Sequence, residues 1–495
     1  MMASVDDAAG FETSARRLES ATRGTVFLSG AQACMLISNG VVNIVAAQVL
    51  PEEDYGRFVV AMLVLAWSNT VVASVVLPGL RKIVSEDRGR FRAALFFAAK
   101  WHSAAALAAG VVLLCGAWPL ARAFGDGKLT LPFLLGAAQI PLMGATRLGT
   151  SLLTGVQRFG ASSLVQAGYA FFYAAAACAL LLAGLGAAGG VGGAVTGALP
   201  AAAVAAALLV KERRGAAYEP YLPMSRRVAY WASVSLPNAL GQTTLMILGV
   251  WLVKAMMADP KAAGVYGVAY FVARVPMFVV YGMSAAVFAR VSGALAEGKT
   301  GYARYAAAEA MRVLTILFVA VCFVVAAASS EIVPYFFSSK HAGATPSLVV
   351  LAPAVFFAGQ LHLALRLLAA AHRPGVRLIV TCCLVAGAAA LNVLLIPRLG
   401  IMGAALASLI IFGVGAAAGT ALVYRFLGAL PPVLTLLRCA LAGWAVYAAG
   451  RYWLAPGWLV LVKVTALGLL YLAVLFVLRE LARKDILEVI RRVRT

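Results

Sequence analysis

Gly400-Ile-Met-Gly403-Ala404 stands between two apolar runs, 378–397 and 402–424, and Gly190-Val-Gly-Gly193-Ala194 opens a third, 190–210, at 210 positions before it. Two further pairs keep nearly the same spacing. Tyr55-Gly56 answers Tyr266-Gly267 at 211, and Leu152-Leu153-Thr-Gly-Val-Gln-Arg158-Phe-Gly160 answers Leu367-Leu368-Ala-Ala-Ala-His-Arg373-Pro-Gly375 at 215. One such pair is weak in a Gly/Ala-rich chain. Three at a nearly constant offset predict a duplicated unit of six apolar runs, and an even number gives both copies the same orientation about an axis along the membrane normal.

Working outward, the runs are 24–48, 58–79, 93–116, 131–155, 161–184, 190–210, 229–253, 263–289, 308–329, 346–370, 378–397, 402–424, 435–454 and 457–478. Each holds roughly twenty residues, enough to cross about 30 Å of hydrocarbon as a helix. A chain that is 63% hydrophobic and 12% charged, with a mean hydropathy of +0.92, has more apolar side chain than a soluble core hides. Open sheet edges cannot face lipid, so the runs are read as helices. The expected fold is an all-α polytopic membrane protein of about fourteen transmembrane helices, as two pseudo-symmetric six-helix lobes plus two C-terminal helices. The expected division is a cytoplasmic N-terminal segment (1–23), an N-lobe (24–210), a cytoplasmic linker (211–228), a C-lobe (229–425), helices 13 and 14 (435–478) and an amphipathic tail along the inner surface (479–495). The opening segment is polar and predicts no cleavable signal peptide.

With the N-terminus in the cytoplasm, 27 of the 41 Lys and Arg fall inside, 7 outside and 7 within runs. That bias places both termini in the cytoplasm of a multi-pass inner-membrane protein. Basic residues scattered through short loops facing anionic lipid account for the net charge of +22 without a nucleic-acid partner. All seven cysteines (34, 115, 178, 322, 382, 383 and 439) lie in apolar runs with no CxxC or Cys/His spacing, so neither disulfide framework nor metal site is expected. No Walker-type sequence, Ser/His/Asp set or paired carboxylate appears; the reading is a transporter without catalytic residues or cofactor.

An ionisable group inside a membrane helix costs about 2.5–3.5 kcal/mol on insertion scales, so those present tend to face a polar interior. The candidates are Lys100, His102, Arg147, Arg274, His362 and Arg366. At offset 215 Arg147 aligns with His362, and no Asp or Glu lies deep in any run. A cavity of cations alone suits a pyrophosphate, which guanidinium grips with paired hydrogen bonds. Two roles are open to each group. Arg147 and Arg274 bind substrate or pair with helix-end carbonyls; Lys100 and Arg366 bind it or snorkel to the interface. His102 and His362 couple transport to protons or are interior hydrogen-bonding groups. Arg312, Arg451 and Lys463, near run ends, are set aside as interfacial. Asn39, Asn43, Asn238 and Asn392 are taken to hydrogen-bond between helices rather than to sugars. Tyr169, Phe172 and Tyr173 share one helical face that lines a cavity or packs. Pro141, Pro237 and Pro276 mark hinges or tolerated kinks.

Several stretches resemble the Wzx-like polysaccharide-flippase branch of the superfamily that also holds MATE drug exporters and lipid II flippases. They are Asn43-Ile-Val-Ala-Ala-Gln-Val-Leu-Pro51-Glu-Glu-Asp-Tyr55-Gly56-Arg-Phe58, Leu153-Thr-Gly-Val-Gln-Arg158-Phe159, Ser235-Leu-Pro237, Ala263-Gly264-Val-Tyr266-Gly-Val-Ala269 and, most specifically, Leu391-Asn392-Val-Leu-Leu-Ile-Pro397-Arg-Leu-Gly400-Ile-Met-Gly403-Ala404-Ala405. The resemblance implies an alternating-access flippase. It would turn a polyprenyl-pyrophosphate-linked oligosaccharide from the cytoplasmic to the periplasmic leaflet for O-antigen, lipopolysaccharide or exopolysaccharide synthesis, beside membrane lipids, glycosyltransferases and a glycan polymerase. Members of this branch often carry an acid in the seventh helix, whereas Leu245-Met-Ile-Leu-Gly249-Val-Trp251 has none. The rivals are a cation-coupled multidrug exporter, which wants a buried acid, a lipid II flippase, whose family has a charged pair in its first helix, and a membrane-embedded polymerase or ligase. Against the last, the longest outer loop expected, 330–345, is too short for a domain.

Overall fold

The structure, a computed structural model, describes residues 27–214 and 224–480. The segment 1–23, the middle of the 211–228 linker and the tail from 481 onward lie outside the described residues. Among the described residues 14 helices are long and apolar enough to cross a bilayer, and the chain is an all-α polytopic membrane protein. The helices are α1 (Phe27–Val49), α2 (Glu52–Val75), α3 (Leu77–Glu86), α4 (Phe91–Ala123), α5 (Thr130–Gly155), α6 (Phe159–Leu182), α7 (Gly186–Arg214), α8 (Met224–Met256), α9 (Ala262–Arg274), α10 (Met277–Ala296), α11 (Thr300–Ala327), α12 (Ser329–Phe337), α13 (Thr345–Ala370), α14 (Pro374–Leu399), α15 (Ile401–Leu427), α16 (Val433–Tyr452) and α17 (Leu459–Val477).

Most apolar runs fall inside one helix, and the differences have physical causes. Helical hydrogen bonding continues past the point where lipid-compatible residues end, so α7 reaches Arg214 and α8 begins at Met224, both inside the expected linker. α2 starts at Glu52 rather than near 58, because Glu52, Glu53 and Asp54 occupy its first turn, where the helix dipole favours negative charge. The run 263–289 is two helices. α9 ends at Arg274 and α10 begins at Met277, broken by Pro276, which has no N–H to donate. The expected loop 330–345 is instead filled by α12 and a 3-10 segment, Ser339–Ala344.

Two compact units divide the described chain, residues 27–50 with 61–243 and residues 51–60 with 244–480. In the first, Leu80, Ile83, Phe91, Leu152 and Leu153 form a core from α3, α4 and α5. Small residues let its helices approach closely: Gly197 of α7 faces the backbone of Tyr173 at 2.6 Å, and Gly149 of α5 faces Ala205 Cβ at 2.6 Å, both measured from where a Cβ would stand. In the second unit Gly419 of α15 meets Ala364 Cβ of α13 at 2.9 Å in the same sense. Such contacts supply the van der Waals attraction that replaces hydrophobic driving force in lipid. Also in the second unit, α16 and α17 pack on α11 through Ile316, Val324, Ala442, Leu467 and Tyr471.

The internal repeat is visible in the helix register. α5 and α13 are both 26 residues long and start 215 positions apart. The turn after each carries a non-glycine residue in left-handed backbone, Gln157 and His372. The Gly400-Ile-Met-Gly403 motif builds a tight turn: Gly400 has φ 60° and ψ −138°, and a Cβ on Gly403 would collide with the Leu395 carbonyl. Only glycine fits both places.

Candidate functional site

The predicted cations fall into two groups, one in each unit. In the first unit His102 of α4 is 1% exposed, and its Nε2 lies 3.1 Å from the Gly144 carbonyl. Gly144 stands one helical turn before Arg147 on α5, so both side chains leave the same stretch. Arg147 is half-buried and donates a long hydrogen bond, 3.4 Å, to the Asn69 carbonyl. Around it, Asn69 donates to Gln139 at 2.9 Å, and the Tyr169 phenol lies beside Gln139 and Arg147. Tyr169 stacks in parallel on Tyr173 at 5.8 Å. Of the predicted aromatic face only these two are buried, while Phe172 is 45% exposed. Lys100 does not join the group. It is exposed and lies over the ring of Trp101 at 5.4 Å, the arrangement of an interfacial lysine.

In the second unit Arg274 is the last residue of α9. It donates to the Tyr270 hydroxyl at 2.5 Å, its guanidinium 5.5 Å from that ring's centroid, and Tyr281 flanks it from α10. Arg274 stands in the last turn of α9, and a helix C-terminus favours a cation. Tyr281 packs edge-on against His362 at 5.0 Å. Arg366 follows one turn later on α13, close enough to Tyr281 and to Arg377 of α14 for their charges to interact. The Nε of Arg366 and the Nε2 of His362 are buried without a protein hydrogen-bond partner. Thus Arg274, His362 and Arg366, scattered over 92 positions, form one cluster bridged by Tyr281, while Tyr270, Tyr281 and Arg377 escaped the sequence reading. Tyrosines at half-buried positions carry no signal in hydropathy. Among the described residues neither Arg147, Arg274 nor Arg366 pairs with a carboxylate.

Two readings of the sequence need correction. Lys463 and Arg312 are not simply interfacial: Lys463 is 1% exposed and pairs with Glu331 at 2.6 Å, and Arg312 pairs with Glu309 and Glu480. A buried ammonium holds its charge only with such a partner. The amides of Asn39, Asn43, Asn238 and Asn392 each donate to the carbonyl four residues earlier in the same helix, the self-satisfying pattern of a polar side chain in a long helix, and the amide oxygens of Asn238 and Asn392 are buried without a partner rather than bridging helices. Outside the membrane-spanning segments, the Glu52 carboxylate 3.0 Å from Lys261 raises that ammonium above its ordinary value. Burial alone would raise the Glu480 carboxyl, but hydrogen bonds from Thr435, Arg438 and Arg312 outweigh it and hold it below.

No protein-family model matches the chain, and no curated protein matches it. Solved structures do. Lipid II flippase MurJ, in an inward closed conformation, is similar over 93% of this chain and 100% of its own, with a TM-score of 0.72 and 13% identity. The inward-facing conformation of a multidrug resistance MATE family transporter of the MOP superfamily is similar over 80% of this chain and 94% of its own, with a TM-score of 0.67 and 14% identity. A MOP superfamily transporter from Pyrococcus furiosus, noted for the reverse polarity of its binding pocket, is similar over 82% of this chain and 95% of its own, with a TM-score of 0.58 and 15% identity. At these identities the likeness establishes the fold, the one shared by MurJ and the MATE transporters.

Proposed function

We propose that the protein is a flippase for a polyprenyl-pyrophosphate-linked oligosaccharide, moving it from the cytoplasmic to the periplasmic leaflet of a bacterial inner membrane. The observation that carries this reading is the cluster in the second unit: Arg274 at a helix break, then Tyr281, His362 and Arg366, with no carboxylate paired to either arginine among the described residues. Three uncompensated cations in membrane helices, counting Arg147, would together cost on the order of 8–10 kcal/mol on insertion scales. An anionic ligand offsets that cost, and a diphosphate offers guanidinium the planar pairing it favours. Discontinuous membrane helices are where transporters of several folds place substrate sites. An organic cation about 5 Å from one of these arginines would meet about 3 kcal/mol of repulsion at an effective dielectric of 20, which disfavours a cationic drug as substrate. Arg274, Arg366 and His362 of the second unit are assigned to the pyrophosphate, and Arg147 of the first unit is proposed by itself as a further substrate-binding cation. His102, already bonded to Gly144, is assigned to holding α4 on α5, and Lys100 to the membrane interface.

A lipid II substrate is the second reading, favoured by the likeness to MurJ over 93% of this chain against 80% for the MATE transporter. Both substrates present the same diphosphate. Glycosyltransferases and a glycan polymerase are the proposed partners for the first reading. Both termini are proposed to be cytoplasmic, which labelling of an Ala342→Cys variant by an impermeant thiol reagent in intact cells, with Lys211→Cys protected, would check.

The test is deletion and complementation. Loss of the gene should remove surface glycan without changing ethidium resistance, and the wild-type gene should restore it. Unchanged surface glycan together with failed peptidoglycan synthesis selects lipid II instead, and ethidium efflux by the expressed protein would overturn both.

A further inference from the structure

Tyr281 of α10 stands between two arginines that are held in opposite ways. On one side Arg274 is anchored. It donates to the Tyr270 hydroxyl at 2.5 Å, its guanidinium lies 5.5 Å from the centroid of that ring, and Tyr281 flanks it. On the other side Arg366 is unanchored: its Nε is buried without a hydrogen-bond partner, and among the described residues no carboxylate pairs with it. His362, one turn earlier on α13, packs edge-on against the Tyr281 ring at 5.0 Å. It is 9% exposed, and its Nε2 is also buried and unpartnered.

Phenols hold a guanidinium without neutralising it. A carboxylate in the same places would cancel the charge, whereas a neutral hydroxyl accepts a hydrogen bond and leaves the charge for a ligand. Nor is Arg366 placed like a snorkelling arginine, whose head reaches water. A buried donor with no acceptor costs about 1–3 kcal/mol, and an anionic oxygen arriving beside Arg366 removes that cost, with His362 a second donor in its Nε2–H tautomer. Both guanidiniums interact with the one phenol of Tyr281. The cluster thus offers two stations for anionic oxygen, on the two sides of a single residue. Two phosphates joined by one bridging oxygen can fill both; a lone phosphate fills one and leaves the other cation bare.

We propose that Arg366 selects a diphosphate over a monophosphate, one phosphate pairing with Arg274 and the next with Arg366 and His362, while Tyr281 is the positioning residue that sets the two arginines apart. The proposal rests on reading this cluster as the diphosphate site, and adds to it that a polyprenyl monophosphate is discriminated against.

The test titrates the full chain, purified in detergent, with two probes read by native mass spectrometry. Farnesyl diphospho-N-acetylglucosamine and farnesyl monophosphate carry nearly the same charge near pH 8, about −2, so a difference between them reports phosphate number rather than charge. The wild type should bind the diphosphate about tenfold more tightly, the scale of one charge-assisted hydrogen bond. Arg366→Gln should weaken the diphosphate by about that factor and the monophosphate far less, so that the preference disappears. Arg366→Lys should keep part of it. Tyr281→Phe retains the ring against His362 but loses the hydroxyl, and should narrow the preference; equal weakening of both probes would overturn its positioning role. Arg122→Gln, an exposed arginine that lies on Trp118, should change neither probe. Equal affinity of the wild type for the two probes would overturn the inference while the diphosphate reading stands, as would a preference that survives Arg366→Gln. Binding of neither probe by the wild type would overturn that reading, and the inference with it.

Discussion

Gln157 and His372 stand 215 positions apart, each just past the end of a 26-residue helix, and both take left-handed backbone with φ 64° and 56°. A non-glycine residue pays about 1–2 kcal/mol for that conformation, while glycine's extra chain entropy returns roughly half. Gln157 has a compensation that His372 lacks: its side-chain carbonyl accepts from Arg88 at 2.8 Å. His372→Gly should therefore stabilise the detergent-solubilised protein by up to about 1 kcal/mol, and Gln157→Gly should be near neutral. Thermal melts of both variants check this; a destabilised His372→Gly would contradict the strain argument.

The Lys463–Glu331 pair makes a second prediction. Removing one partner leaves a buried charge, so Lys463→Met or Glu331→Gln alone should destabilise by about 3–5 kcal/mol. The double variant leaves no charge and should recover much of the loss. A double variant as unstable as the sum of the singles would show that the two residues act separately.

At the other end of α17, Glu480 accepts from Arg312, Thr435 and Arg438 and ties α17 to α11 and α16. Its carboxyl is held below its ordinary value of 4.5. The stability from this carboxylate is present above the unfolded-state value and is lost as pH falls through the lower native one. Glu480→Gln should be less stable than wild type near neutral pH, by about 1–3 kcal/mol, and the two melting temperatures should converge in acid. A gap that persists at low pH would contradict this.

The runs that predicted membrane helices were readable because hydropathy reports lipid compatibility directly. The repeat was readable but its third anchor was misaligned: α7 and α15 start 215 positions apart, and Gly186, with the same φ of 60°, answers Gly400, while Gly190 lies inside α7. What the sequence hid depends on distance in space. Lys463 looks interfacial until Glu331, 132 residues earlier, is seen beside it. The break after Arg274 was legible only as the hinge or kink marked at Pro276; residues on both sides are equally apolar, so one run covered two helices. In the site, cations could be named from their cost in lipid, but nothing in a linear pattern joins Arg274 to His362 through Tyr281. Phe172 misled for a related reason: helical spacing places it near Tyr169 and Tyr173, yet the buried stripe is narrow enough to exclude it.

The most direct test of the proposed substrate-binding cations, one in each unit, pairs surface-glycan output with protein abundance for Ala and Lys variants at Arg147 and at Arg274. Arg→Ala at either position should stop glycan reaching the periplasm while the protein still inserts at normal abundance. Arg→Lys should rescue only partly, because an ammonium keeps the charge but loses the planar fork that pairs with phosphate. Full glycan export by a well-expressed Arg147→Ala/Arg274→Ala double variant would contradict the account.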